Sequence, residues 1–151
     1  MSSTDEHGES ILARLVAAEQ IKVMKARFLR AVDGHEWQTV ASLLVDDCVM
    51  DFGSADGKKG SGSIMTSRDE YLTFVSGRLE GWVTSHVASM PDITFEDDDH
   101  AVGLWTLFDY VSNPESGQRP LGLLRHRDEY RRENGQWLLA RCRLERIAFY
   151  D

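Results

Sequence analysis

Three side chains in this sequence have the type and setting for proton chemistry. His86 follows Thr84 and Ser85 at the start of an apolar stretch, and His126 lies in the charged run Arg125-His126-Arg127-Asp128. Asp33 stands just before Gly34 at the end of a helical pattern, where the negative end of the helix dipole disfavours a carboxylate. A neutral imidazole, with an ordinary pKa of about 6.5, accepts a proton near neutral pH. A carboxylate on its other ring nitrogen fixes the tautomer and stabilises the imidazolium. Such a group removes a C–H proton beside a carbonyl, or one next to a leaving group. Side chains alternate along a strand, so only one of Arg125 and His126 faces inward, and His126 is the better candidate. His35, in a Gly-His-Glu turn, and His100, after Asp98 and Asp99, read as surface residues.

Other chemistries lack their spacing. No HxH or HExxH pair occurs, so no metal is expected. Gly57-Lys58-Lys59-Gly60-Ser61-Gly62 lacks the spacing of a phosphate-binding loop, and no nucleophile elbow is present. Cys48 and Cys142 are the two cysteines; they read as reduced thiols of a cytoplasmic protein.

The candidate residues must be held by helices first and strands second. Residues 1–9 lack apolar anchors and are expected to form a disordered tail, with a single domain over 10–151. From Ser10, apolar residues recur at three- and four-residue steps to Val32, a long helix ended by Gly34. A short helix is expected over 36–44, then a turn at Asp46-Asp47 and a strand over 48–52. Residues 53–63 read as a loop. Ser67 and Glu70 form a capping box for a third helix running to Leu79. Strands are expected over 83–90, 93–96, 101–111, 121–132 and 136–149, with Glu133-Asn134-Gly135 as a hairpin turn. The run 121–132 carries too many charges to be buried on both faces. Trp105, Phe52, Phe108, Tyr71, Trp82 and Met90 are expected as core or pocket wall.

The composition bounds the partners. The 151 residues suit one domain, and 42% hydrophobic with 28% charged residues is ordinary for a globular protein. A net charge of −8 disfavours nucleic acid and anionic membrane surfaces. No apolar run is long enough to span a bilayer, and the polar, acidic stretch MSSTDEHGES lacks the hydrophobic core expected of a signal peptide.

Several segments, in order, resemble the nuclear transport factor 2-like superfamily. They are Ala31-Val32-Asp33-Gly34-His35-Glu36-Trp37, Ala41 to Asp47, Thr84-Ser85-His86, Asp128 to Arg132, and Gly135-Gln136-Trp137. The likeness is greatest to the branch of scytalone dehydratase, hexachlorocyclohexane dehydrochlorinase and SnoaL-like cyclases, and covers about residues 10–150. It implies an α+β fold: a cone-shaped α+β barrel whose helices pack on a curved, mostly antiparallel sheet around one pocket. It also implies a pair, His86 as general base and Asp33 as its orienting partner, with His126 where the family places a pocket amide. Val32, Phe52 and Trp105 replace two tyrosines and a second histidine of scytalone dehydratase, so that enzyme's substrate is not expected. The resemblance points to a cofactor-independent lyase acting on a small apolar molecule, with elimination of water foremost. Isomerisation and aldol-type cyclisation share its first proton transfer. The alternative is a non-catalytic binding or assembly module. Family habit implies a homo-oligomer, dimer or trimer.

Overall fold

The computed structural model describes residues 3–53 and 63–150, with side chains from Ser10 onward. Helix α1 (Ser3–Asp33) carries an inward stripe of Ile21, Met24, Phe28, Leu29 and Val32, at the spacing read from the sequence. Its backbone is helical from Ser3, where the composition predicts an irregular tail. The helix ends as expected, but Gly34 is not its left-handed residue. His35 takes that role at φ 55°, with the Glu36 N–H donating to the Ala31 carbonyl and the His35 N–H to the Val32 carbonyl. His35 is half-buried and stacks on Trp37 rather than standing in solvent.

Helix α2 (Trp37–Ser42) is shorter than expected, and strand β1 (Leu44–Asp51) begins earlier. Asp46 and Asp47 are therefore exposed strand residues, at a register irregularity, instead of a turn. The loop expected over 53–63 falls largely outside the described residues. Strand β2 (Ile64–Met65) follows; at two residues it carries no period to read. Helix α3 (Arg68–Arg78) starts at its predicted cap, the Ser67 side chain accepting from the Glu70 N–H.

Four long strands complete the fold: β3 (Val83–Phe95), β4 (His100–Ser112), β5 (Leu121–Glu133) and β6 (Gln136–Tyr150). The two expected strands over 83–90 and 93–96 are one strand, β3, with a register shift between Ser89 and Asp92. Asn134 (φ 50°) and Gly135 (φ 78°) turn β5 into β6, both left-handed as a tight hairpin requires. The sheet order is β2-β1-β6-β5-β4-β3, antiparallel except for the β1–β6 pair. It is curved and open at its edge strands, so the cone is not a closed barrel. Helix α1 packs on β3 and β6, and α3 on β1. Strand β5 resolves its own charge by alternation: Arg125 and Arg127 face out, while His126, Asp128 and Tyr130 are buried.

Candidate functional site

Strand alternation and the end of α1 assemble the first group. Thr84 and His86 turn inward from β3 towards Asp33, the last residue of the helix packed against that strand. His86 Nδ1 lies 2.5 Å from Asp33 Oδ1. The Thr84 hydroxyl donates to the same oxygen at 2.7 Å, and the His86 backbone N–H donates to Oδ2 at 3.1 Å. Burial works against the Asp33 carboxylate, but these bonds outweigh it and hold its pKa below the ordinary value. Burial likewise pulls the His86 imidazole down. The Asp33 hydrogen bond and the charges of Asp109 and Asp33 overcome this and leave it raised.

Asp109 is the cross-strand neighbour of His86, on β4. Its Oδ2 stands 3.7 Å from His86 Nε2, and its Oδ1 is buried without a hydrogen-bond partner among the described residues. Burial pushes its pKa up to about 6; the Asp33 charge adds to this, while His86 and Lys25 oppose it.

His86 and Asp109 line a cavity of about 300 Å³, with His126 also in its wall. Phe28, Val32, Met50, Phe52, Tyr71 and Leu124 give it a mostly apolar lining. Arg78 and Arg146 line it as well.

A second group holds His126 from behind. Lys25, on the inward stripe of α1 and 1% exposed, donates from Nζ to Asp128 Oδ2 at 2.6 Å. The same Nζ is 3.1 Å from His126 Nδ1. An ammonium only donates, so Nδ1 accepts and the ring hydrogen sits on Nε2. That Nε2 is buried with no hydrogen-bond partner among the described residues. Burial and then the Lys25 charge push the His126 pKa down to about 3, so the ring stays neutral. Tyr130 Oη donates to Asp128 Oδ2 at 2.7 Å and accepts from Trp105 Nε1 at 2.9 Å. A Cβ on Gly103 would lie 2.8 Å from Trp105 Nε1 and 2.9 Å from the Tyr130 ring, which explains the glycine there. His126, Asp128 and Cys142 bring potential metal ligands within 4.8 Å of one another. Lys25 Nζ already supplies the cationic charge at that point, and burial keeps the Cys142 thiol protonated, so this group suits a lysine better than a metal ion.

Of the side chains expected at the pocket, His86, His126, Phe52 and Tyr71 line the cavity, and Asp33 sits behind His86. Trp105, Phe108 and Met90 do not. Trp105 is buried beneath, bonded to Tyr130. Phe108 is 45% exposed on the outer sheet face; it is three residues from Trp105, an odd step, so both cannot point inward from one regular strand. Met90 is 82% exposed at the irregularity in β3. Lys25, Asp109 and Asp128 were not singled out from the sequence, although each continues an inward pattern of its own element. Both cysteines are free and buried.

A family model described as the SnoaL-like domain matches residues 13–143. The chain belongs to the SnoaL-like family. This SnoaL-like domain shares its fold with solved structures of low sequence identity. One is a candidate scytalone dehydratase from Novosphingobium aromaticivorans, with TM-score 0.83, 21% identity, and coverage of 92% of this chain and 89% of that one. Another is the hexachlorocyclohexane dehydrochlorinase LinA-type3 from Novosphingobium barchaimii, with TM-score 0.78, 20% identity and 92% coverage of each chain. A third is the Kfla4162 protein from Kribbella flavida, with TM-score 0.79, 20% identity, and coverage of 92% and 95%. No helix among the described residues is long and apolar enough to cross a membrane.

Proposed function

We propose that this SnoaL-like domain is a cofactor-independent lyase that eliminates water from a small, mostly apolar organic substrate. One observation carries the reading. His86 is held at Nδ1 by Asp33, while its ring borders the cavity and its Nε2 is turned towards Asp109. His86 is the general base and Asp33 orients it and stabilises the imidazolium, as a paired carboxylate does. His126 offers its Nε2–H to a polar group of the substrate, and Phe52 and Tyr71 supply apolar contact. Neighbouring structures named as a candidate dehydratase and a dehydrochlorinase support elimination over isomerisation or cyclisation.

The test is a screen of β-hydroxy carbonyl compounds, followed by enone absorbance. His86→Ala is expected to lose about 10²–10⁴-fold in turnover with the fold intact. Asp33→Asn is expected to lower kcat with little change in KM, because its contribution belongs to the transition state. Turnover that survives His86→Ala sinks the assignment. Tight ligand binding with no turnover in any variant favours a binding module instead.

The outer face of β3 and β4 exposes Val87, Leu104, Phe108 and Tyr110. An exposed apolar patch of this kind favours a homo-oligomer joined through the sheet. Light scattering that finds a monomer at micromolar concentration refutes it. The two free thiols favour a reducing compartment, the cytoplasm.

A further inference from the structure

Asp109 is a cavity carboxylate that the base and its partner do not use. Only 11% of its side chain is exposed, Oδ1 is buried without a partner among the described residues, and Oδ2 is 3.7 Å from His86 Nε2. An ionised carboxylate left this way is costly, so the carboxyl keeps its proton to a higher pH than an ordinary aspartate does. Burial accordingly raises its pKa to about 6. A neutral carboxyl carries an O–H and donates. A separation of 3.7 Å is too long for a direct hydrogen bond and is spanned by a reacting group or a water in contact with both.

We propose that Asp109 is the general acid of the site, and that the substrate class is therefore one whose leaving group must be protonated to depart, a hydroxyl β to a carbonyl rather than a halide. This rests on His86 being the base. The step balances. His86 Nε2 takes the proton on the carbon next to the carbonyl, and that C–H electron pair becomes the C=C bond. The β C–O bond breaks with its electrons on oxygen, which takes the Asp109 proton and leaves as water. The His86 imidazolium then returns its proton to the Asp109 carboxylate, directly or through that water, and both groups are restored. The competent form, neutral His86 with protonated Asp109, holds as many protons as the ion pair of the same two groups. It is present wherever the pair holds one proton. Hydroxide needs this acid because the pKa of water is about 15.7; chloride does not need it.

The test uses the full chain with the β-hydroxy and β-chloro forms of one phenylbutanone, following enone absorbance with the spontaneous rate subtracted. Asp109→Asn is expected to lower kcat on the hydroxy ketone by about 10²–10⁴-fold and on the chloro ketone by less than about 10-fold. His86→Ala is expected to lose both. Equal losses on both substrates in Asp109→Asn overturn the proposal and leave His86 as base. So does a wild type that eliminates chloride alone. A wild type that eliminates neither removes the reading of His86 and this one with it. A second measurement needs no variant: wild-type kcat across β-aryloxy ketones of graded phenol acidity. A shallow dependence on leaving-group pKa is expected if Asp109 supplies the proton, and a steep one overturns the proposal.

Discussion

His86 and His126 border the same cavity, yet their neighbours give them opposite characters. His86 has a carboxylate on each side, Asp33 at Nδ1 and Asp109 beyond Nε2, and its pKa is raised. His126 has an ammonium at Nδ1, and its pKa is pushed down to about 3. Burial penalises the charged form of both rings, so burial does not distinguish them. What does is the group at Nδ1. A carboxylate there makes the ring a base whose proton can be stored; an ammonium there makes it a fixed donor. Helix α1 supplies both partners, Lys25 two turns before Asp33, so one helix face sets the polarity of the cavity.

The largest effect that tests this contrast is on turnover. With His86→Ala losing about 10²–10⁴-fold in kcat, His126→Gln, which keeps a donor, is expected to change mainly KM and by about 10-fold or less. Steady-state kinetics on one β-hydroxy ketone separates the two. Comparable kcat losses would erase the distinction between base and donor.

Next comes stability. Lys25 and Asp128 form an ion pair exposed by 1% and 0%. Lys25→Met leaves the Asp128 carboxylate buried without its cation, and a cost of about 3–5 kcal/mol is expected in denaturant unfolding. The double variant Lys25→Met with Asp128→Asn is expected to recover much of that loss. A Lys25→Met protein as stable as the wild type would show that the pair does not fix the His126 end.

Parts of this contrast were legible in the sequence and parts were not, for identifiable reasons. The long helix, the Ser67 cap and the Asn134-Gly135 hairpin follow from periodicity and turn chemistry, and each appears in the structure, although the Glu70 carboxylate accepts from the Thr66 N–H instead of closing the box on Ser67. His126 facing inward followed from alternation against Arg125. Asp33 with His86 followed from the resemblance, since residues so far apart in sequence leave no local pattern. Asp109 could have been found, because it shares strand parity with the buried Trp105 and Leu107. Phe108 drew notice instead because it is aromatic, although its parity puts it outside. Lys25 is four residues from both Ile21 and Leu29, which marks the inward stripe, but a lysine there reads as a surface residue until its carboxylate partner is known. Asp46 and Asp47 look like a turn, and only the pairing of β1 with β6 shows them to be an exposed strand segment.

The pH dependence of stability separates the two ends with a smaller effect. The unfolded chain protonates His126 below about 6.5, whereas the folded protein does so only near 3. Across that window the unfolded state binds the extra proton, so this residue makes stability fall as pH falls. Asp109 has the reverse sign. Its folded pKa of about 6 exceeds the unfolded value of about 3.9, so between them the folded state holds the extra proton and stability rises as pH falls. Each contributes at most about 1.4 kcal/mol per pH unit, and in the wild type they oppose one another. Urea unfolding between pH 7 and 4 is expected to show a steeper acid loss for Asp109→Asn and a shallower one for His126→Gln, each relative to wild type. Identical slopes in all three would contradict the opposed charge settings.

The smallest effect comes from the hydroxyl that shares Asp33 with His86. Thr84 is 7% exposed, and its Oγ1 donates to Asp33 Oδ1 at 2.7 Å, the same oxygen that His86 Nδ1 meets. The hydroxyl stabilises the carboxylate and so weakens Asp33 as an acceptor from His86. Thr84→Val keeps the shape and removes that donor. Asp33 keeps the His86 backbone N–H and the ring, so it stays bound but becomes more basic, and its hold on the imidazolium strengthens. The His86 pKa is then expected to rise further, moving the pH at which the histidine loses its proton upward. A neutral hydrogen bond contributes about 0.5–1.5 kcal/mol, so the change in turnover stays within about 10-fold. NMR titration of the His86 ring reads the shift directly, and no other part of the cavity wall has to move for it to appear. A downward shift, or none, would mean that Asp33 does not set the charge of His86 through the oxygen they share with Thr84.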